Sequence, residues 1–114
     1  MAINKELLKG TAKTLVLQLL SEREMHGYEL LTMMKEKSKN LIEITEGTLY
    51  PLLHTLEEDG FLTSSWEKSA GKRKRKIYAI TPDGKKSLVE RSKELKEFIS
   101  VMQRFVPVKF LATE

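Results

Sequence analysis

The sequence predicts a mainly α-helical chain that carries one small β-hairpin, and three observations support this. Apolar residues recur at helical spacing from Lys5 to Leu56 and again beyond Thr81. Between these stretches, two β-rich segments, 61–67 and 74–81, flank a polar bridge that contains Gly71. The punctuation is sharp: Gly60 follows the last leucine of one helical pattern, and Thr81-Pro82-Asp83 opens the next.

Composition narrows the class. With 114 residues, 40% of them hydrophobic and 32% charged, the chain can bury a modest core and is globular rather than disordered. Cysteine is absent, which removes disulfide and thiolate chemistry. The start, Met1 to Glu6, is polar and carries an acid, unlike a secretory signal. No apolar run approaches the roughly 20 residues that span a bilayer. A soluble cytoplasmic domain without a membrane partner is expected.

The net charge of +4 is unevenly distributed. Residues 1–60 hold seven Lys/Arg against ten Asp/Glu, a net of −3, whereas residues 61–114 hold thirteen against six, a net of +7. Positive charge gathered in one region is the footprint that a phosphate backbone requires.

Taken in order, the first helix runs from about Lys5 to Leu20. Leu7, Leu8, Leu15 and Leu19 make it apolar nearly all round, so it should be buried. Ser21 to Glu24 is a polar break. A second helix begins near His26, with Tyr28, Leu31 and Met34 at helical spacing, and ends by about Lys37. After a turn at Ser38-Lys39-Asn40, Leu41 to Ile44 has room for a single-rung strand. The third helix starts near Thr45 and points Leu49, Leu52, Leu53 and Leu56 inward, with Gly60 as its left-handed cap. Pro51 removes one backbone donor from it, so a bend or an irregular first turn is expected.

A hairpin turn centred on Lys72 places Trp66 opposite Tyr78 and Ser64 opposite Ile80. Leu62, Trp66, Tyr78 and Ile80 then share one face. The last helix opens with a threonine N-cap and a proline in its first turn, and it runs to about Val106. Leu88, Leu95, Phe98, Ile99, Met102, Phe105 and Val106 form a near-heptad stripe along it, which suits a partner helix. The order is helix, helix, short strand, helix, hairpin, helix. That is a winged helix-turn-helix, residues 1–81, followed by a dimerisation helix and tail, residues 82–114.

Two candidate contact surfaces follow for double-stranded DNA. The third helix leaves Glu46, Gly47, Thr48, Tyr50 and His54 on its outward side. Recognition helices present such N-terminal residues to base edges. Thr48 can bond several bases, Tyr50 can donate to phosphate, and Gly47 permits close backbone approach. The five consecutive cations Lys72, Arg73, Lys74, Arg75 and Lys76 crowd like charges at the hairpin tip, where phosphates would relieve the repulsion. Leu88, Leu95, Phe98, Met102 and Phe105 are expected to join two copies, as an inverted-repeat operator requires. Neither His26 nor His54 has a cysteine or acid at metal-ligand spacing, and no glycine-rich phosphate loop is present. Neither a cofactor nor an enzymatic activity is expected.

Four segments resemble the PadR family of bacterial transcriptional regulators. They are His26-Gly27-Tyr28-Glu29-Leu30, Glu46 to Leu53 with its Thr-Leu-Tyr-Pro core, Leu56 to Phe61, and Arg75 to Gly84. The resemblance covers residues 5–90. It implies a homodimeric winged helix with Tyr50 and the wing on DNA, acting as a repressor that releases its operator when a small-molecule effector binds. The single C-terminal helix is similar to the short-tailed subgroup, some of whose members bind flat aromatic compounds between the paired helices through a tryptophan. This chain has no tryptophan there, so Phe98 and Phe105 would take its place. The rival expectation is a winged-helix module that binds an acidic protein instead of DNA.

Overall fold

The computed structural model describes residues 3–67 and 75–106. Five helices and three strands follow in the order α1 (Lys5–Lys9), α2 (Ala12–Glu22), β1 (Met25–His26), α3 (Gly27–Lys37), α4 (Glu46–Glu58), β2 (Leu62–Glu67), β3 (Arg75–Ile80) and α5 (Pro82–Gln103). The strands form an antiparallel sheet in the order β1-β3-β2. This is the winged helix-turn-helix with an appended helix that the sequence predicts.

One apolar core unites these elements. Val16, Leu17 and Leu20 of α2, Leu30 and Met34 of α3, and Leu49, Leu53 and Leu56 of α4 meet Met25, Leu62 and Tyr78 of the sheet. The three α4 leucines are wholly shielded from solvent. Truncating any one of them to alanine costs about 2–5 kcal/mol, because the cavity left behind adds to the lost burial. The C-terminus of α4 is closed by a Schellman motif. Phe61 N–H donates to the Leu56 carbonyl at 2.9 Å and Gly60 N–H to that of Glu57 at 3.0 Å, with Gly60 at φ 82°. The helix continues through Pro51, whose missing N–H leaves the Gly47 carbonyl without its intrahelical donor.

The structure corrects three sequence expectations. The first helix is two: α1 ends at Gly10, and Thr11 starts α2 while its hydroxyl donates to the Leu8 carbonyl at 3.1 Å. Glycine and threonine both weaken a helix interior, and here they break it. In consequence α1 buries none of its residues, and Leu7 is 76% exposed. Leu41 to Ile44 forms no strand, since the Ser38 hydroxyl takes the Ile42 N–H at 2.8 Å. The third strand is instead Met25–His26, which pairs with Tyr78 and Ile77.

The hairpin register also differs. Ser64 stands opposite Tyr78 and Trp66 opposite Lys76, so the expected pairing of the two aromatic residues is absent. Burial sets this register. The level at which Tyr78 sinks into the core is two residue pairs nearer the body than Trp66, which stays 60% exposed.

Between the wing and α5 the chain makes a close junction. Thr81 N–H donates to the Phe61 carbonyl at 3.0 Å, its hydroxyl donates to the Gly60 carbonyl at 2.6 Å, and the same oxygen accepts the Gly84 N–H at 3.0 Å. Gly84 has no room for a side chain: an added Cβ would fall 2.2 Å from the Phe61 carbonyl oxygen. Beyond this junction Leu88 packs against the core, and the rest of α5 leads away from it. The molecule therefore measures 55 Å along its longest axis and 23 Å along its shortest.

Replacing Gly84 with alanine should cost about 1–3 kcal/mol in urea unfolding, the range for a forced backbone shift in a packed site. Gly10→Ala is the control. Its Cβ meets nothing within 4 Å, so stability should hold or rise slightly.

Candidate nucleic-acid interface

The buried leucines of α4 decide which of its residues face outward. Glu46, Gly47, Thr48, Tyr50, Pro51 and His54 are all exposed, on the side opposite Leu49, Leu53 and Leu56. Thr45 begins the helix, accepting N–H bonds from Thr48 at 3.1 Å and Leu49 at 2.9 Å on its carbonyl. Its hydroxyl donates to the Thr48 hydroxyl at 3.3 Å, which leaves the Thr48 proton free to bond outward. Glu46 in the first turn suits the positive end of the helix dipole. His54 lies a turn further on, 3.5 Å from the Glu58 carboxylate.

Tyr50 has a fixed place. Its ring lies across Gly27 at the start of α3, where a Cβ would come 2.6 Å from the phenol oxygen. The absence of a side chain at Gly27 thus lets the ring settle between the two helices while 43% of the residue stays exposed. Behind it, burial raises the pKa of Tyr78 above its ordinary 10.0, with the nearby Glu57 carboxylate and Tyr50 adding to the effect.

The wing turns one face toward α4. Ser64 on β2 donates to the Glu57 carboxylate at 2.6 Å, and Tyr78 opposite it enters the core. Lys76 and Trp66 form the next rung outward, with the Lys76 ammonium 5.6 Å from the indole centroid. Arg75 is exposed at the far end of β3. Lys72, Arg73 and Lys74 lie outside the described residues.

A polar network on the other face of the wing joins it to the helix pair. His26 Nδ1 lies 2.6 Å from the Glu29 carboxylate and Nε2 lies 3.1 Å from that of Glu67. The His26 backbone N–H also donates to Glu29 at 3.0 Å, and Arg23 donates to its other oxygen at 2.9 Å. Glu29 thereby links the end of α2, the strand β1 and the first turn of α3. Sequence reasoning missed this network, although the spacing of His26 and Glu29 was visible, because Glu67 is 41 residues away from His26. The same reading paired Trp66 with Tyr78 over the helices, whereas the observed register sets it opposite Lys76 and leaves it 60% exposed.

The apolar stripe of α5 is bare. Phe98 is 58% exposed and Phe105 77%, with Met102 at 40% and Leu95 half-buried. Leu88 differs from these in packing on its own core. Among the described residues no helix is long and apolar enough to cross a membrane, and no acid–histidine cluster can hold a metal ion.

The His26 backbone N–H holds the Glu29 carboxyl below its ordinary value of 4.5, aided by Arg23 and the His26 ring and opposed by partial burial. A carboxyl depressed on folding contributes stability above its unfolded value and loses that contribution as pH falls through the folded one. In urea unfolding, wild type should exceed Glu29→Gln in stability above pH 4.5, and the gap should close as the pH is lowered below it.

Comparison with known proteins agrees with this architecture. The sequence model of the transcriptional regulator PadR-like family matches residues 16–90. The transcriptional regulator Rv3488 of Mycobacterium tuberculosis is 34% identical over 93 residues, spanning 82% of this chain and 83% of that protein. The negative transcriptional regulator PadR of Bacillus subtilis is 30% identical over 76 residues, 67% of this chain but 42% of that longer one. A transcriptional regulator from Clostridium thermocellum superposes with a TM-score of 0.84 at 30% identity, covering 90% of this chain and 99% of its own. These relatives are regulators of transcription, not enzymes. The outward helix face, the wing and the sequence match converge, and the chain belongs to the PadR-like family of transcriptional regulators.

Proposed function

We propose that this regulator acts as a homodimer on duplex DNA in the cytoplasm, repressing transcription from an inverted-repeat operator until an effector releases it. One observation supports DNA binding above the others: opposite its buried leucines, α4 leaves Glu46, Gly47, Thr48, Tyr50 and His54 exposed, and β2, which follows it, is held to its end by the Ser64–Glu57 bond. In this reading α4 enters the major groove, where Thr48 and the Gly47 backbone meet base edges and Tyr50 and His54 bond phosphates or bases. Lys72 to Lys76 take the flanking phosphates, adding affinity without sequence choice. Residues 1–81 form the DNA-binding part, and residues 82–114 pair the two copies.

Pairing is supported by the bare stripe of α5. A helix that exposes Phe98, Met102 and Phe105 along one line with the half-buried Leu95 loses hydrophobic stabilisation in water, and a second copy of the same helix would restore it. Leu88, already packed on its own chain, would steady the base of that helix. A flat effector fits best between the paired helices, against Phe98 and Phe105. The name of the Bacillus subtilis relative, a negative regulator, supports the sign of regulation.

Titration of a labelled duplex across a range of salt tests the wing assignment. The double variant Arg73→Ala with Arg75→Ala should bind every duplex more weakly and flatten the plot of log affinity against log salt by about 2. An unchanged slope would remove the wing from the interface. No duplex binding even at low salt would favour an acidic protein as the partner.

A further inference from the structure

Trp66 is the single tryptophan of the chain, and its place in the wing is not explained by packing. Side chains alternate along β2, so Trp66 shares the face of Leu62 and Ser64. Leu62 is buried and Ser64 bonds to Glu57 of α4, so this face is turned toward α4. Trp66 continues it one rung beyond, and 60% of the residue remains in solvent. The side of the wing that looks toward the proposed recognition helix therefore carries a bare indole.

Its neighbour is a cation. Lys76 stands directly opposite, with its ammonium 5.6 Å from the ring centroid, and Arg75 follows it. Among the described residues neither Lys76 nor Arg75 forms an ion pair. Glu67, which stands opposite Arg75 in the ladder, is bonded to His26. The Trp66–Lys76 rung thus sets a large apolar plate beside an ammonium that forms no ion pair among the described residues. Phosphate flanked by deoxyribose offers the complementary surface, an anion beside an apolar sugar wall.

We propose that Trp66 and Lys76 form a second DNA contact. The indole lies against the sugar walls of the minor groove next to the site entered by α4, and Lys76 reaches the adjoining phosphate. Apolar side chains inserted at the minor groove are an established way of gripping DNA without reading bases in full. The cation over one face of the ring holds the indole in place and leaves its other face to the groove. This contact rests on the DNA-binding reading above and adds a residue that the charge run alone does not indicate.

The intact protein supplies its own probe, because all tryptophan emission comes from Trp66. A fluorescein-labelled random-sequence duplex, followed by anisotropy, reports binding independently. Adding unlabelled duplex should quench the Trp66 emission, while heparin, which offers charge without a groove, should quench it much less. Trp66→Ala should weaken duplex binding about fivefold or more, as for loss of an aromatic–nucleotide contact. Trp66→Phe should recover part of that loss, and both variants should melt like the wild type because the ring is exposed. Bound duplex with unchanged emission and full affinity in Trp66→Ala would overturn this contact and leave DNA binding standing. Equal quenching by heparin would also overturn it, by reducing the contact to charge. No binding of the duplex at low salt would overturn both readings together.

Discussion

Three leucines on one side of α4 set the terms for the rest of the molecule. Leu49, Leu53 and Leu56 are wholly buried, and their spacing permits only one rotation of the helix about its axis. With that rotation set, Gly47, Thr48, Tyr50 and His54 have nowhere to point but outward. The Schellman closure at Gly60 then turns the chain directly into β2, so the wing leaves from the same end that the leucines anchor. Tyr78 joins the leucine cluster from β3, and the hairpin register follows from its burial.

Around that anchor, smaller devices set directions. Gly27 clears space for the Tyr50 ring, and Gly84 lets the start of α5 press against the Phe61 carbonyl. Both glycines serve close approach, not flexibility. The His26 network works on the opposite face, tying the edge strand β1 to the far end of β2 across β3. Loss of its hydrogen bonds would act on the wing's attachment to the helix pair rather than on the leucine core. The bare stripe of α5 and the bare indole of the wing leave apolar surface uncovered, as does Leu7 of α1, and the first two each lie next to a proposed partner.

Much of this was legible in the residues. Helical periodicity located α3, α4 and α5 to within a few positions, and Thr81-Pro82 and Gly60 marked two boundaries because capping is a local matter. What escaped was non-local. The strand Met25–His26 is two residues long and exists only because β3 offers it a partner. Leu41 to Ile44 has strand-like composition, yet the Ser38 hydroxyl claims one of its donors. Trp66 reads as a core aromatic until the register, decided by Tyr78, leaves it outside. The outward position of Thr48 and Tyr50 was legible because a helix with one buried side reveals its other side, whereas the proposed role of Lys72 to Lys74 rests on charge.

The central claim is that two copies present α4 to successive turns of a duplex. Selection of bound sequences from a pool of random double-stranded DNA tests it most directly. The account predicts recovery of an inverted repeat whose half-sites lie about 34–36 Å apart, centre to centre, or a multiple of that spacing. Recovery of single, unpaired half-sites would contradict the dimer, and a pool that returns no enriched sequence would contradict readout by α4.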